Sequence, residues 1–192
     1  SIAPLVIVIG ILLHQFNVSY QEKTYAHLTE LVQKHAQNID TFLTEKMANL
    51  RQTAVNNSIE SLCESELLRE KLQNLRSEYG NMFVDLGAVD EKGMQLAYAG
   101  PFELKNATYA DADWFKAALP IDMFISDVFT GLRGHPHFIV AVKKYESGRS
   151  ILLRATIDFK AFNSLVQNLK VGQTGYAYIL NRKGEFRAEE HT

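Results

Sequence analysis

The sequence predicts an α+β fold in which a long N-terminal helix packs on a mainly antiparallel five-stranded sheet, followed by the start of a second module. Three observations predict it. No Pro or Gly interrupts the chain between Ser19 and Ala54, and apolar residues recur there at helical spacing. After Gly80 the period switches to two residues. Short runs rich in β-branched and aromatic residues then follow, each bounded by turn signals. With 192 residues, 46% hydrophobic and 22% charged, the chain has the composition of a packed protein rather than a disordered one. A net charge of -2 gives no ground for a nucleic-acid partner.

The run from Ile2 to Leu13 carries no charge and is read as the end of a transmembrane helix, residues 1–18, that begins before the sequence. Residues 19–80 follow as a stalk helix and a second helix. The stalk's apolar stripe is Leu28, Val32, Ile39, Phe42, Leu43, Met47, Leu50 and Ala54. At about 1.5 Å per residue it reaches about 50 Å from a membrane. Asn57 or Ser58 caps the second helix, which runs to Tyr79 and stops at Gly80. The lone cysteine, Cys63, lies in this helix as a buried structural thiol and excludes an internal disulfide.

Five strand segments come next: MFVDLGAVD, GMQLAYAG, MFISDVF, HFIVAVKKY and SILLRATIDF. Asp90 to Gly93 joins the first two as a hairpin, and Ser147-Gly148-Arg149 joins the last two. A helical segment, Asp111 to Leu119, sits between the second and third strands and is stopped by Pro120. A short helix from Lys160 to Asn168 follows the fifth. The tail KVGQTGYAYILNRKGEF repeats the layout of FVDLGAVDEKGMQLAY, and so reads as the opening hairpin of a second module.

In this order, the long helix, VDLGAVDEKGMQLAYAGP, DWFKAAL, FISDVF, HFIVAVKK and ILLRATIDF resemble the first module of a double Cache sensor domain, a PAS-like fold. The closing KVGQTGYAYILNRKGEF resembles the hinge into its second module. The resemblance implies a membrane-distal module over 81–170 and the truncated start of a membrane-proximal one over 171–192. The stretch ISDVFTGLRGHPHFIVAVKK is most similar to sensor histidine kinases, although chemoreceptors and cyclic-dinucleotide enzymes use the same module. What this implies is a periplasmic small-molecule sensor of a two-component system. It would be anchored in the inner membrane, dimeric in the full-length receptor, and attached to an intracellular output domain. A chemoreceptor's sensor domain and a non-binding periplasmic interaction module are the alternatives.

In such modules the ligand lies between the sheet and the segment that caps it. By resemblance, Trp114 and Phe115 are the aromatic pair at the cap, and Phe129 stands where many amino-acid-binding relatives have Tyr. Those relatives hold the carboxylate with an Arg and the amine with an Asp, at positions occupied here by Ala112 and Thr156. An organic acid is therefore favoured over an α-amino acid. Residues two apart on a strand share a face, so Arg154 projects with Thr156. Arg154 either grips an anion, faces solvent or pairs internally with Asp127 or Asp158. Asp127 either receives a cationic group or caps a turn. Arg133 closes over the ligand or is merely exposed, and Tyr98 and Tyr109 line the cavity or pack over it. His137, with His135, has too few companions for a metal site and is better explained by its strand. No phosphate loop, nucleophile triad, metal motif or cofactor motif is present, so no catalysis is expected of this segment.

Overall fold

In the computed structural model, which describes residues 2–104, 106–131, 134–160 and 162, the helical periodicity runs unbroken from the start. Helix α1 spans Ala3–Asn56. Its N-terminal part contains an 18-residue window of mean hydropathy 1.5, none of it buried, long and apolar enough to cross a membrane. Burial sets in only toward the other end. Ile39, Phe42 and Leu43 are partly buried, and Met47, Leu50 and Ala54 enter the core. Val32 lies off this line at 63% exposed, because the half-buried residues follow Leu28, Leu31, His35 and Ile39 instead.

The second helix differs from expectation. Ser58 does cap it, its Oγ accepting from Ser61 N–H at 3.2 Å, but α2 ends after Ile59–Leu62. Cys63 N–H then reaches both Ile59 O and Glu60 O, and Glu64 turns extended before α3 resumes at Ser65–Tyr79. One long helix thus becomes two, which lets Leu62 and Leu68 both enter the core. Cys63 is half-buried rather than buried, and desolvation pushes its thiol pKa up.

The strands form a sheet in the order β2-β1-β5-β4-β3, antiparallel throughout. They are β1 (Phe83–Asp90), β2 (Gln95–Ala99), β3 (Met123–Ile125), β4 (His137–Glu146) and β5 (Arg149–Asp158). The β4–β5 turn is two residues, Ser147 and Gly148, both at positive φ, so Arg149 belongs to the strand rather than the loop. Strand β3 is shorter than MFISDVF because Ser126 Oγ takes the Ile139 N–H, and the chain bulges before Phe129 pairs with His137. The expected helix from Lys160 and the tail hairpin fall almost wholly outside the described residues.

Alternation gives the sheet two different faces. Leu86, Ala88, Phe138, Val140, Leu153, Ala155 and Ile157 meet α1, α2 and α3 in the main core. On the opposite face, Val89, Ile139, Ala141 and Leu152 pack under α4, Asp113–Ala118. Leu50 is fully buried, and Leu50→Ala should cost about 2–5 kcal/mol in chemical denaturation.

Lys46 is an exception within this apolar layer. It is 3% exposed, with its ammonium 3.4 Å from the Tyr79 ring centroid and 5.0 Å from that of Phe42. Desolvation lowers its pKa, and the attraction of Glu45 and Glu78 restores only part. A lysine whose pKa falls on folding binds protons more tightly when unfolded, so its charge opposes folding at neutral pH. Lys46→Met, which keeps the length and removes the charge, should therefore raise the melting temperature at pH 7. A fall would show that the ring contacts outweigh the desolvation.

Candidate functional site

The face under α4 encloses a cavity of about 540 Å³. Its walls follow from local sequence. The helix α4 turns Trp114 inward, and Trp114 meets Tyr109 edge-on at 5.1 Å between ring centroids. The bulge after β3 brings Asp127 and Phe129 to the opposite side, and Ile139 of β4 contributes more apolar lining. Arg154, from the central strand β5, lines it as well.

Arg154 is fully buried and bound on several sides. Its Nη1 donates to Asp85 Oδ1 at 2.7 Å and to Thr156 Oγ1 at 3.3 Å. Its Nη2 donates to Tyr109 Oη at 2.9 Å and to the Gln95 side-chain carbonyl. Asp85 also accepts from Thr156 Oγ1 at 2.8 Å and from Tyr98 Oη at 3.4 Å. Burial acts to lower the Arg154 pKa, but the Asp85 carboxylate beside it prevails and holds it above its ordinary value. The guanidinium is therefore permanently charged and permanently paired. Its Nε has no acceptor among the described residues.

The internal partner is a correction to the sequence reading. Arg154 pairs with Asp85, not with Asp127 or Asp158, and it does not face solvent. The antiparallel register sets Asp85 of β1 opposite Thr156 and Gly87 opposite Arg154, so the carboxylate lies within reach of the guanidinium. A guanidinium with both terminal nitrogens occupied offers no two-pronged grip to an anion. Thr156 does share its face, but it serves the ion pair.

Of the other predicted positions, Tyr109, Trp114, Asp127, Phe129 and His137 line the cavity together with Arg154. Phe115 packs behind Trp114 in the small core, and Tyr98 sits behind Asp85. Among the described residues the Asp127 side chain caps no turn; Ser126 Oγ makes the local contacts, and Asp127 is exposed at the rim. His137 is buried, its Nδ1 2.7 Å from His135 O and its ring 4.5 Å from that of Phe129. Among the described residues no three His, Cys, Asp or Glu side chains gather where they could share a metal ion. Arg133 lies outside the described residues. Asp85, Gln95 and Ser126 were missed by sequence reasoning. Only the isolated polar residues inside FVDLGAVD and MQLAYA hinted at the first two.

Two glycines make room for the ion pair. A Cβ on Gly87 would stand 2.8 Å from Gln95 Oε1 and 3.0 Å from Arg154 Nη2. A Cβ on Gly100 would stand 2.4 Å from both Asp85 Cβ and Tyr98 Oη. Asp85 Cβ is anchored to the backbone and cannot swing aside, so Gly100→Ala should destabilise the chain by about 1–3 kcal/mol. Thermal denaturation of Gly100→Ala measures this; unchanged stability would show that β1 and the chain after β2 separate freely.

A family model described as Cache domain matches residues 16–189. Among solved structures, the ligand-binding domain of the Campylobacter jejuni chemoreceptor Tlp3 in complex with L-valine is 16% identical, with a TM-score of 0.65. That match covers 88% of this chain and 72% of the other. The ligand-binding domain of the Pseudomonas aeruginosa amino-acid chemoreceptor PctB in complex with L-Gln is 14% identical, with a TM-score of 0.65, over 83% and 66% of the two chains. The extracellular domain of the putative histidine kinase vpHK1S-Z8 is 13% identical, with a TM-score of 0.52, over 76% and 61%. At these identities the likeness is one of fold. No curated protein matches the chain.

Proposed function

This chain belongs to the Cache domain family, and from that premise we propose that it is an extracytoplasmic sensor whose cavity under α4 takes a small organic molecule. The carrying observation is a 540 Å³ space beneath α4, walled by Trp114, Tyr109, Phe129 and Ile139. A small molecule with an apolar body fits such walls. Solved relatives of the same fold hold L-valine and L-Gln, ligands of comparable size.

The route to the membrane is the sheet itself. Ile139 and Arg154 line the cavity, while their neighbours Phe138, Val140, Leu153 and Ala155 lie in the core with α1. A ligand that favours one arrangement of β4 and β5 thereby shifts α1, by about 1–2 Å in comparable switches. We place the start of α1 in the inner membrane, this module in the periplasm as the membrane-distal one, and the exposed stalk in a homodimer. The output we propose is a histidine kinase, supported by the ISDVFTGLRGHPHFIVAVKK resemblance and by the kinase neighbour. The chemoreceptor neighbours favour a second reading, a chemotaxis receptor. Autophosphorylation of the full-length protein from ATP decides between them.

The chain's single Trp lies in the cavity wall, so its fluorescence reports occupancy directly. Titration with a panel of amides, amino acids, organic acids and amines should give saturable changes for at least one class. Calorimetry, at a temperature where the variant is folded, should then show Trp114→Ala weakening that ligand at least tenfold. A panel with no saturable response, or equal affinity in Trp114→Ala, would remove the cavity as the sensing site.

A further inference from the structure

Helix α4 covers the cavity with six residues, too few to persist without support from the rest of the fold. That support differs at its two ends. Before α4 the chain is bound to the β1–β2 hairpin by backbone: Tyr109 N–H donates to Gly93 O at 2.7 Å, and Gln95 N–H to Ala107 O at 3.0 Å. Gly93 stands at φ +85°, and a Cβ there would lie 2.5 Å from the Ala110 nitrogen, so hairpin and chain touch directly. After α4 the chain meets Pro120, which has no N–H to give. Leu119 N–H closes the last turn on Phe115 O at 3.0 Å, and Ile121 N–H reaches back to Ala118 O at 3.1 Å. The Leu119 carbonyl is taken by a side chain from β4, 24 residues on: Lys143 Nζ donates to it at 2.7 Å. Lys143 N–H also donates to Asp122 O at 2.8 Å, which sets the lysine beside the end of α4. A cation in that position suits the last carbonyls of a helix.

We propose that Lys143 is the positioning residue that keeps α4 closed over the cavity, and that breaking its bond to Leu119 O opens the cap at its C-terminal end. This rests on the cavity being the ligand site. Lys143 does not line the cavity; it acts through α4, which carries Trp114. Alternation along β4 puts Lys143 on the face of Ile139, a cavity wall, and of Ala141, which packs under α4. Their neighbours Val140 and Val142 lie in the main core with α1. The lysine therefore fastens the cap to the same strand that meets the stalk. A cap held there carries its closure into β4, and a cap released from Lys143 closes without moving that strand.

Trp114 is buried and is the chain's single Trp, so quenching of its fluorescence by acrylamide reads the opening of the cap with no ligand present. Lys143→Met keeps the length and removes the donor. It should raise the bimolecular quenching constant at least about twofold over wild type, at a temperature where both are folded. Lys143→Arg can still donate to Leu119 O and should stay near the wild-type value. Lys144→Met, the same change one residue along and on the opposite face of the strand, should leave quenching unchanged. Equal quenching in Lys143→Met and wild type overturns the proposal, as does an equal rise in Lys143→Arg or in Lys144→Met. Should Lys143→Met fail to fold, Lys143→Gln, polar but one bond shorter, takes its place; the same rise is expected, and its absence overturns the proposal. Because acrylamide is the only probe, a failure here leaves the cavity standing as the candidate site, and is distinct from a failure of the cavity to bind any of the ligand panel.

Discussion

One ion pair organises this fold. Arg154 on the central strand and Asp85 on its neighbour are both withdrawn from water, and such a pair tolerates removal of either partner badly, at about 3–5 kcal/mol. Everything around it is shaped to keep it satisfied. Thr156 donates to Asp85, Tyr109 and Gln95 accept from Arg154, and Gln95 in turn donates to Leu104 O, which ties the loop after β2 to the sheet. The glycines at 87 and 100 are the spatial counterpart, since a methyl group at either would strike this cluster. The same arginine also lines the cavity under α4.

The second constraint is that one sheet serves two purposes. Its helix-facing side is filled with Leu, Ile, Val, Ala and Phe, packed to the density a core demands. Its other side has only a small core, capped by six residues of α4, and a space of ligand size beside it. Because successive residues of β4 and β5 point to opposite sides, a push on one face is felt on the other within a single residue. Helix α1 is the natural receiver. Only its C-terminal third is buried against the sheet, and the rest extends as an exposed rod toward its apolar start. Lys46, near the point where α1 meets the core, lies between the Phe42 and Tyr79 rings with Glu45 Oε2 4.0 Å from its ammonium.

Much of this was legible along the chain. The uninterrupted helical period, the change of period at Gly80, the Ser58 cap and the five strands are all consequences of local spacing and local hydrogen bonding, and the family resemblance rests on the same segments. Trp114 was legible as a cap residue only through the family resemblance of DWFKAAL. The break at Cys63 was not, since no Pro or Gly marks it; it arises because Leu62 and Leu68 must both reach the same core. Nor was the shortening of β3, which depends on a serine hydroxyl replacing a backbone acceptor.

By itself, then, the sequence determined the kind and order of the elements, the two-faced character of the strands and the placing of Arg154 and Thr156 on one face of β5. Tertiary structure alone decided what that arginine does. Its partner lies 69 residues away on a strand that becomes its neighbour only through the order β2-β1-β5-β4-β3. Two aspartates, Asp127 and Asp158, were candidate partners from the sequence, and the register chose a third, Asp85. A buried charge is settled by whichever opposite charge lies within about 4 Å once the strands have paired, and spacing along a single strand carries no information about that distance.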